Sequence, residues 1–357
     1  MIYHGDACQY VLETPDILRN IMEQQNAIFC QCCKLLKQRE LSEIYLVGSG
    51  SSYHSAIVAA DFMKKLLGIP VLTVYPIDFM DEIELASNHA LLIGISQQGT
   101  SVAVIKAMDK MNEKGGLTIS CTGEYDTEIT RHAQANIYVE CGIEDAGSTT
   151  KGYTATAFTL LLLGLHIAKE RNLLSEEIWN RYQKQLKDIT ENISKVIAAS
   201  IPWCEKQGED LSKCSDLIIL ASGQCKKLIP EVVLKFSESC RFPVRGYAAE
   251  EFMHGMYNAV NETTQFLYLF AGEGEEDNRL WKLYEYYQSQ HNRQYCINVT
   301  VEQGLAECFT KRTPFSVLEL IIPLQILFIH TSRKRGINLN IPKDPDFHKY
   351  MQSKIEE

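Results

Sequence analysis

The sequence has no basic run, no long apolar stretch and no paired cysteine motif, and each absence removes a class of function. Its 357 residues carry 35 Lys+Arg against 45 Asp+Glu, a formal net charge of −10, which excludes a broad phosphate-neutralising face for nucleic acid. Any phosphate bound is a small one. The longest apolar run, Ala155 to Ala168 around Leu160–Leu163, is about 14 residues and falls short of the ~20 that span a bilayer. It reads as a core helix, so no membrane is expected as a partner. No basic stretch followed by an apolar run and a small-residue cleavage site opens the chain, so no signal peptide is read, and a cytoplasmic location with reduced thiols is expected. The 12 cysteines are scattered, and Cys30, Cys32 and Cys33 lie in a helical run with no second pair at metal-ligand spacing. That pattern gives neither a disulfide framework nor a zinc site, and no metal is expected. Nucleotide fingerprints are missing too. Gly48-Ser49-Gly50 begins like G-x-G-x-x-G, but Tyr53 stands at the third glycine position, and the Gly-Lys of a P-loop is absent.

What remains is an ordinary globular composition, 45% hydrophobic and 22% charged, long enough for two domains or one large α/β unit. Thr14-Pro15-Asp16 reads as an N-cap, a first-turn proline and an early acid, opening a helix that runs to about Arg39. Ile44-Tyr45-Leu46-Val47 then forms a short apolar run ending in Gly48-Ser49-Gly50-Ser51-Ser52, and Tyr53 to Leu67 returns to helical spacing. The unit recurs. Val71 to Tyr75 is followed by Ala90 to Ile95, the loop Ser96-Gln97-Gln98-Gly99-Thr100-Ser101, the helix Val102 to Lys114, and Leu117 to Cys121. Strands alternating with helices imply a parallel, doubly wound sheet. After a polar helical connection from about Leu173 to Glu209, the pattern restarts. Leu217 to Leu220 ends in Ala221-Ser222-Gly223-Gln224, and Phe266 to Phe270 ends in Ala271-Gly272-Glu273-Gly274. The fold class is therefore α/β, an approximate internal repeat of two subdomains, each a doubly wound parallel sheet flanked by helices. The expected boundaries are a helical leader over 1–40, a first subdomain over 41–190, a second over 191–340 and a tail over 341–357.

Ligands of a parallel sheet bind where the carboxyl ends of the strands meet helix N-termini. Both serine-rich loops of the first half lie there. Unpaired N–H groups at a helix start hold an oxyanion well, and Ser49, Ser51, Ser52, Ser96, Thr100 and Ser101 add donors without blocking access. Read singly, each loop is either a turn with an N-cap or part of a phosphate cradle. Two such loops on successive units favour a ligand. In the second half, Glu231, Lys235 and Glu238 stand at i, i+4 and i+7 on one helix face, and His254 follows within Tyr247-Ala248-Ala249-Glu250-Glu251-Phe252-Met253-His254-Gly255. Such a face is either a solvated pair or, with an imidazole nearby, a proton-transfer set.

These segments, together with Glu144 to Phe158, in which Ser148-Thr149-Thr150-Lys151 falls, and with Pro323-Leu324-Gln325-Ile326-Leu327, resemble the sugar isomerase (SIS) domain family in motif and order. The likeness runs over nearly the whole chain and is strongest to the isomerase half of the glutamine–fructose-6-phosphate aminotransferases. It implies a double-SIS protein that binds a hexose 6-phosphate through Ser52, Ser96, Gln97 and Ser101 with the backbone of Gly50 and Ser51. It also assigns Gln98, Ser148 and Lys354 to substrate binding. Glu238 would carry a proton between C1 and C2, Lys235 would lie close by, and His254, supplied by a neighbouring subunit, would open the sugar ring, so a homodimer with a shared site is implied. The tail would close over the sugar.

Departures from the family pattern set the expected activity. The chain carries no glutaminase domain, Cys8 lies too deep to be an N-terminal nucleophile, Gln98 and Thr100 differ from the synthase loop, and Lys349 and Lys354 are out of register with the synthase's tail lysine. The likeness to stand-alone double-SIS proteins then implies a deglycase cleaving a fructosamine 6-phosphate to hexose 6-phosphate and amine, with no cofactor. Glucosamine-6-phosphate deamination, aldose–ketose isomerisation and a non-catalytic sugar-phosphate sensor are the alternatives. Arg245, Tyr247, Lys151 and Tyr153 are further candidates for the pocket wall.

Overall fold

The apolar runs form strands, and the strands lie parallel because a helix returns the chain to the same edge after each one. The computed structural model describes residues 3–37, 39–272, 274–298, 305–310 and 312–355. Its first half runs α1 (Ala7–Leu36), β1 (Ile44–Val47), α2 (Ser51–Leu67), β2 (Val71–Val74), α3 (Pro76–Asp81), β3 (Leu91–Ile95), α4 (Val102–Lys114), β4 (Leu117–Thr122), α5 (Glu128–Arg131) and β5 (Ala135–Tyr138). Two long helices follow, α6 (Lys151–Glu170) and α7 (Glu176–Leu211). The second half runs β6 (Asp216–Ala221), α8 (Ile229–Cys240), β7 (Val244–Ala248), α9 (Ala249–Phe252), β8 (Thr264–Phe270), α10 (Glu275–Ser289), β9 (Gln294–Asn298), α11 (Val317–Lys334) and α12 (Phe347–Met351).

The first sheet has the order β2-β1-β3-β4-β5 and the second β7-β6-β8-β9, every pairing parallel. The α/β class with two parallel, helix-flanked sheets is thus as expected. Strands β3 and β4 are buried at every residue, as central strands covered on both faces must be. Helix α4 packs so closely on β3 that a Cβ at Gly94 would meet Met108 Sδ at 2.4 Å. In both sheets the winding reverses beside the first strand, between β1 and β3 and between β6 and β8, and each reversal opens a crevice at the strands' carboxyl ends. A shared interior joins the halves. One cluster of buried side chains contains Leu46, Ile93 and Ile119 of the first sheet, Leu217, Ile219 and Leu267 of the second, and Leu160–Leu163 of α6 and Phe328 of α11 between them.

Several expectations are corrected. Helix α1 begins at Ala7, not near Thr14: Asp6 is its N-cap, its Oδ1 accepting from Cys8 N at 2.9 Å, and Pro15 lies inside the helix. Burial of Ala7 and Val11 on the turns before Pro15 carries the helix through the missing donor. Strands β5, β7 and β9 were not anticipated. The helix expected after Gln224 starts as a 3₁₀ turn, Gly223–Leu228, before α8. Residue 190, the expected subdomain boundary, falls inside α7. Glu273 of the loop after β8 lies outside the described residues. Among those residues, no helix is long and apolar enough to cross a membrane, and no group of three or more His, Cys, Asp or Glu side chains is arranged to hold a metal ion.

Candidate active site

The first crevice is built by two loops. After β1 the chain turns through Gly50, whose φ of 55° suits a glycine, and α2 starts at Ser51 with no side-chain cap. The first hydrogen bond back to this turn is His54 N to Gly50 O at 2.9 Å, so the amides of Ser51, Ser52 and Tyr53 precede the helix's own ladder. After β3, Gly99 takes a φ of 67° so that the loop can fold over Thr127, and Ser101 starts α4 with a hydroxyl that caps no amide. Small hydroxyl residues and helix-start amides from two elements therefore lie together at the carboxyl ends of the neighbouring strands β1 and β3.

The two glutamines of the second loop are used differently. Gln97 turns beneath it: Nε2 donates to Cys141 Sγ at 2.9 Å, Oε1 accepts from Thr156 Oγ1 at 3.3 Å, and the carboxamide passes Gly123 where a Cβ would meet it at 2.0 Å. The Gln97 carbonyl accepts from Gly123 N at 2.9 Å and Thr122 Oγ1 at 3.2 Å, so only its backbone amide remains for a ligand. Gln98 is exposed and accepts from Lys354 Nζ at 2.7 Å. The tail lies along this loop, with Ser101 and Lys354 forming an antiparallel bridge and Ile355 N donating to Thr100 O at 3.0 Å. Burial holds the Lys354 ammonium below the ordinary lysine range, against the opposing charge of Glu124.

Helix α8 supplies the acid. A helix brings i, i+4 and i+7 onto one face, and here that face turns inward instead of toward solvent. Glu231 is 1% and Lys235 4% exposed. Lys235 Nζ donates to Glu238 Oε1 at 2.8 Å and lies 3.6 Å from Glu231 Oε1. Burial alone would lower the Lys235 pKa, but Glu238, Glu231 and Glu144 outweigh it and raise the ammonium above its ordinary value. Ser148 Oγ donates to the same Glu238 oxygen at 2.8 Å and accepts from Ser239 Oγ at 3.2 Å. Both bonds fall on Oε1, while Oε2 has no partner among the described residues, and the Glu238 side chain is 34% exposed. One carboxylate oxygen is fixed and the other is open.

The loops and the acid meet within one chain. Ser51 Oγ donates to Glu231 Oε1 at 2.9 Å, so the line Ser51, Glu231, Lys235, Glu238 runs from the first serine loop to the open carboxylate. Glu144 ties in α6: its carboxylate accepts from Thr150 N at 2.6 Å, Lys151 N at 3.2 Å and Gly152 N at 2.9 Å, which caps that helix start and fixes the turn carrying Ser148. His254 makes no bond to this network among the described residues. Its side chain is 70% exposed and its partner is Glu250, at 3.3 Å, not Glu238.

The other candidates have structural partners. Arg245 donates to Asp216 at 2.7 Å, tying β7 to β6, and Tyr247 packs on Phe252. Lys151 donates to Glu13 at 2.7 Å and lies over the Tyr10 ring. Tyr153 is buried against this site with a hydroxyl that has no hydrogen-bond partner among the described residues. The sequence reading left out Glu144, and it missed His54, whose Nδ1 is 2.7 Å from Glu231 Oε2. An acid shortly before a helix start was a usable signal for Glu144, and nothing local marked His54.

The second crevice is closed from inside. Asp277, 5% exposed, takes the Ser222 hydroxyl and the amides of Ala271 and Gly272, while Glu276 accepts from Gly223 N at 2.7 Å. These carboxylates occupy the donors that the corresponding loops of the first sheet leave open.

Two parallel-sheet subdomains, one with an open hydroxyl-lined crevice beside a paired acid and lysine, define the class to which comparison with known proteins then gives a name. The SIS domain matches residues 36–165. A Clostridium difficile 630 protein described as a phosphosugar isomerase superposes with a TM-score of 0.90 at 29% identity, over 99% of this chain and 100% of its own. A Salmonella typhimurium LT2 protein described as sugar-binding gives 0.81 at 30% identity, over 90% and 98%. The glutamine–fructose-6-phosphate aminotransferase of Fusobacterium nucleatum is 27% identical over 251 residues, which is 68% of this chain and 41% of its own length. The chain belongs to the SIS domain family. It spans about half the length of the curated relatives it matches.

Proposed function

We propose that this protein is a phosphosugar-processing enzyme that cleaves a fructosamine (ketosamine) 6-phosphate to a hexose 6-phosphate and a free amine or amino acid. The observation that carries the reading is Glu238, with one oxygen pinned by Lys235 and Ser148 and the other open beside a hydroxyl-lined crevice. The phosphate would sit at the helix starts, on the backbone of Gly50, Ser51 and Gln97 and the hydroxyls of Ser52, Ser96 and Ser101, with the tail lysine above it.

With the sugar in its open form, Glu238 would take a proton from C1, which carries nitrogen, and a proton returned at C2 would leave the C=N bond at C1. Water then adds to C1, and the amine leaves with a proton. Proton transfer by a placed carboxylate supplies about 10²–10⁴-fold of the acceleration. The amine belongs to the substrate, because neither nearby lysine is suited to form an imine. Lys235 is held as an ammonium between two carboxylates, and Lys354 is engaged at the phosphate end. The chemistry needs no cofactor, since the substrate's carbonyl and nitrogen delocalise the charge. Ring opening would fall to His254 from a second copy of the chain, in a homodimer with a shared site. Its high exposure, with Glu250 and not Glu238 as its partner, suits delivery to a second copy.

Purified protein incubated with fructoselysine 6-phosphate is expected to release free lysine and hexose 6-phosphate in equal amounts. Glucoselysine 6-phosphate, whose nitrogen is on C2, would do so by the same proton transfer run from C2 to C1. Ammonia from glucosamine 6-phosphate alone would reassign the protein as a deaminase. Binding without product from any of the three substrates would make it a sensor. The tail contributes to affinity in this reading. A charge-assisted hydrogen bond is worth about 1.5–3 kcal/mol, so Lys354→Met should raise KM for the phosphorylated substrate roughly 10- to 100-fold with little change in kcat. An unchanged KM would remove Lys354 from the site.

A further inference from the structure

His54 lies in the first turn of α2, 8% exposed, and takes no part in the reaction just described. Its Nδ1 faces Glu231 Oε2 at 2.7 Å, while Ser51 and Lys235 share the other oxygen of that carboxylate. An Nδ1 set against a carboxylate carries its proton there, which leaves Nε2 as the nitrogen that gains or loses one. The surroundings hold few other charges. From α8 come Glu231 and Lys235, and from α6 comes the Tyr153 phenol, held neutral by burial and by Glu231. Lys227 of the 3₁₀ turn is paired with Asp61, further along α2, at 3.2 Å. On α2 itself the Tyr53 ring stands edge-on to the imidazole, 6.1 Å between centroids, and stacks on Tyr75, which follows β2. Strand β2 presents no titratable group, and Tyr45 of β1 packs on Phe79.

The charges on this line do not balance. Glu231, Glu238 and Glu144 gather around one ammonium, Lys235, so carboxylates outnumber the cation here. A phosphoryl dianion arriving at the Ser51 end adds two negative charges, of which the tail lysine Lys354 above it offsets one. Of the groups on the line, the imidazole is the type that changes charge between pH 5 and 8. We propose that His54 is a positioning residue that takes up a proton when a hexose 6-phosphate binds. Its imidazolium would offset part of the added charge and hold Glu231 in register for Ser51 and Lys235. The inference rests on the phosphosugar reading of this crevice.

Titration calorimetry with fructose 6-phosphate near pH 7.5, in buffers of low and high ionisation enthalpy, tests it. Wild-type heats should differ between buffers by an amount that reports net proton uptake, and affinity should fall by up to about tenfold per unit as pH rises from 7 to 8.5. His54→Asn places an amide nitrogen where Nδ1 stands and keeps the bond to Glu231, so a purely structural role would leave its binding like wild type. The expected result is that both the buffer dependence and the pH slope vanish in His54→Asn. Equal buffer dependence in the two proteins, or none in wild type, overturns the inference alone. Absence of any binding heat in wild type overturns the phosphosugar reading and this inference with it. A second measurement covers a variant that fails to fold: in wild type labelled with ¹³C-histidine, one imidazole resonance should move to its imidazolium position on adding fructose 6-phosphate, and a spectrum without such a shift also overturns the proposal.

Discussion

Glu238→Gln is expected to lower kcat by about 10²–10⁴-fold while leaving KM for the phosphosugar within roughly threefold of wild type. The split follows from the two oxygens of this side chain. Glutamine keeps a carbonyl oxygen that can accept from Lys235 and Ser148, the two bonds that fix Oε1, so α8 and the turn at Ser148 keep their geometry. What it loses is the basic oxygen facing the crevice. Steady-state kinetics on the ketosamine substrate, with hexose 6-phosphate affinity measured separately, reads the two effects apart. A variant that retains a tenth or more of wild-type kcat would place proton transfer on another group.

The largest effect on stability should come from Lys235. Its ammonium lies between Glu238 at 2.8 Å and Glu231 at 3.6 Å, and Glu231 is 1% exposed. Lys235→Met leaves that buried carboxylate without its cation, and removing one partner of a buried pair costs about 3–5 kcal/mol. Adding Glu231→Gln removes the orphaned charge, and the double variant should regain more than half of the loss. Chemical denaturation of the three proteins checks this, and a loss under about 1 kcal/mol in the single variant would show that water reaches Glu231. The pH dependence has a definite sign. A lysine with a raised folded-state pKa contributes stability that is fully present below the ordinary lysine value and disappears only as pH climbs through the raised one. The contribution of Lys235 should therefore be flat from pH 6 to 9 and weaken only in strong alkali.

The central strands were legible because a parallel strand covered on both faces is apolar at every position, as Leu91–Ile95 is. The strands that escaped are β5, β7 and β9. Val-Arg-Gly-Tyr-Ala and Gln-Tyr-Cys-Ile-Asn mix polar and apolar residues because they lie at or near a sheet edge, partly exposed, and β5 is an edge strand of four residues. Their pairing is set by the neighbouring strand more than by their own pattern. At the site, the spacing of Glu231, Lys235 and Glu238 announced a charged helix face but not its burial. That depends on Ser51, His54 and Ser148, which arrive from elements between 90 and 180 residues away. The same distance hid the orientation of Gln97. A glutamine in a serine-rich loop reads as a ligand-binding side chain until Cys141, Thr156 and the space at Gly123 are brought around it. His254 gave the opposite difficulty, because its motif is clear and its partner in a single chain is Glu250, not the Glu238 network.

The interior that joins the two sheets also governs how this chain could be taken apart. Since α6, α7 and α11 belong to one continuous apolar mass that reaches both sheets, a cut near residue 190 would pass through the middle of α7 and expose that mass on each fragment. The repeat visible along the sequence is therefore not a pair of separable modules. Heat or denaturant should meet a single cooperative block, and an expression fragment carrying one sheet alone would present an oily face to water where its sister ought to be.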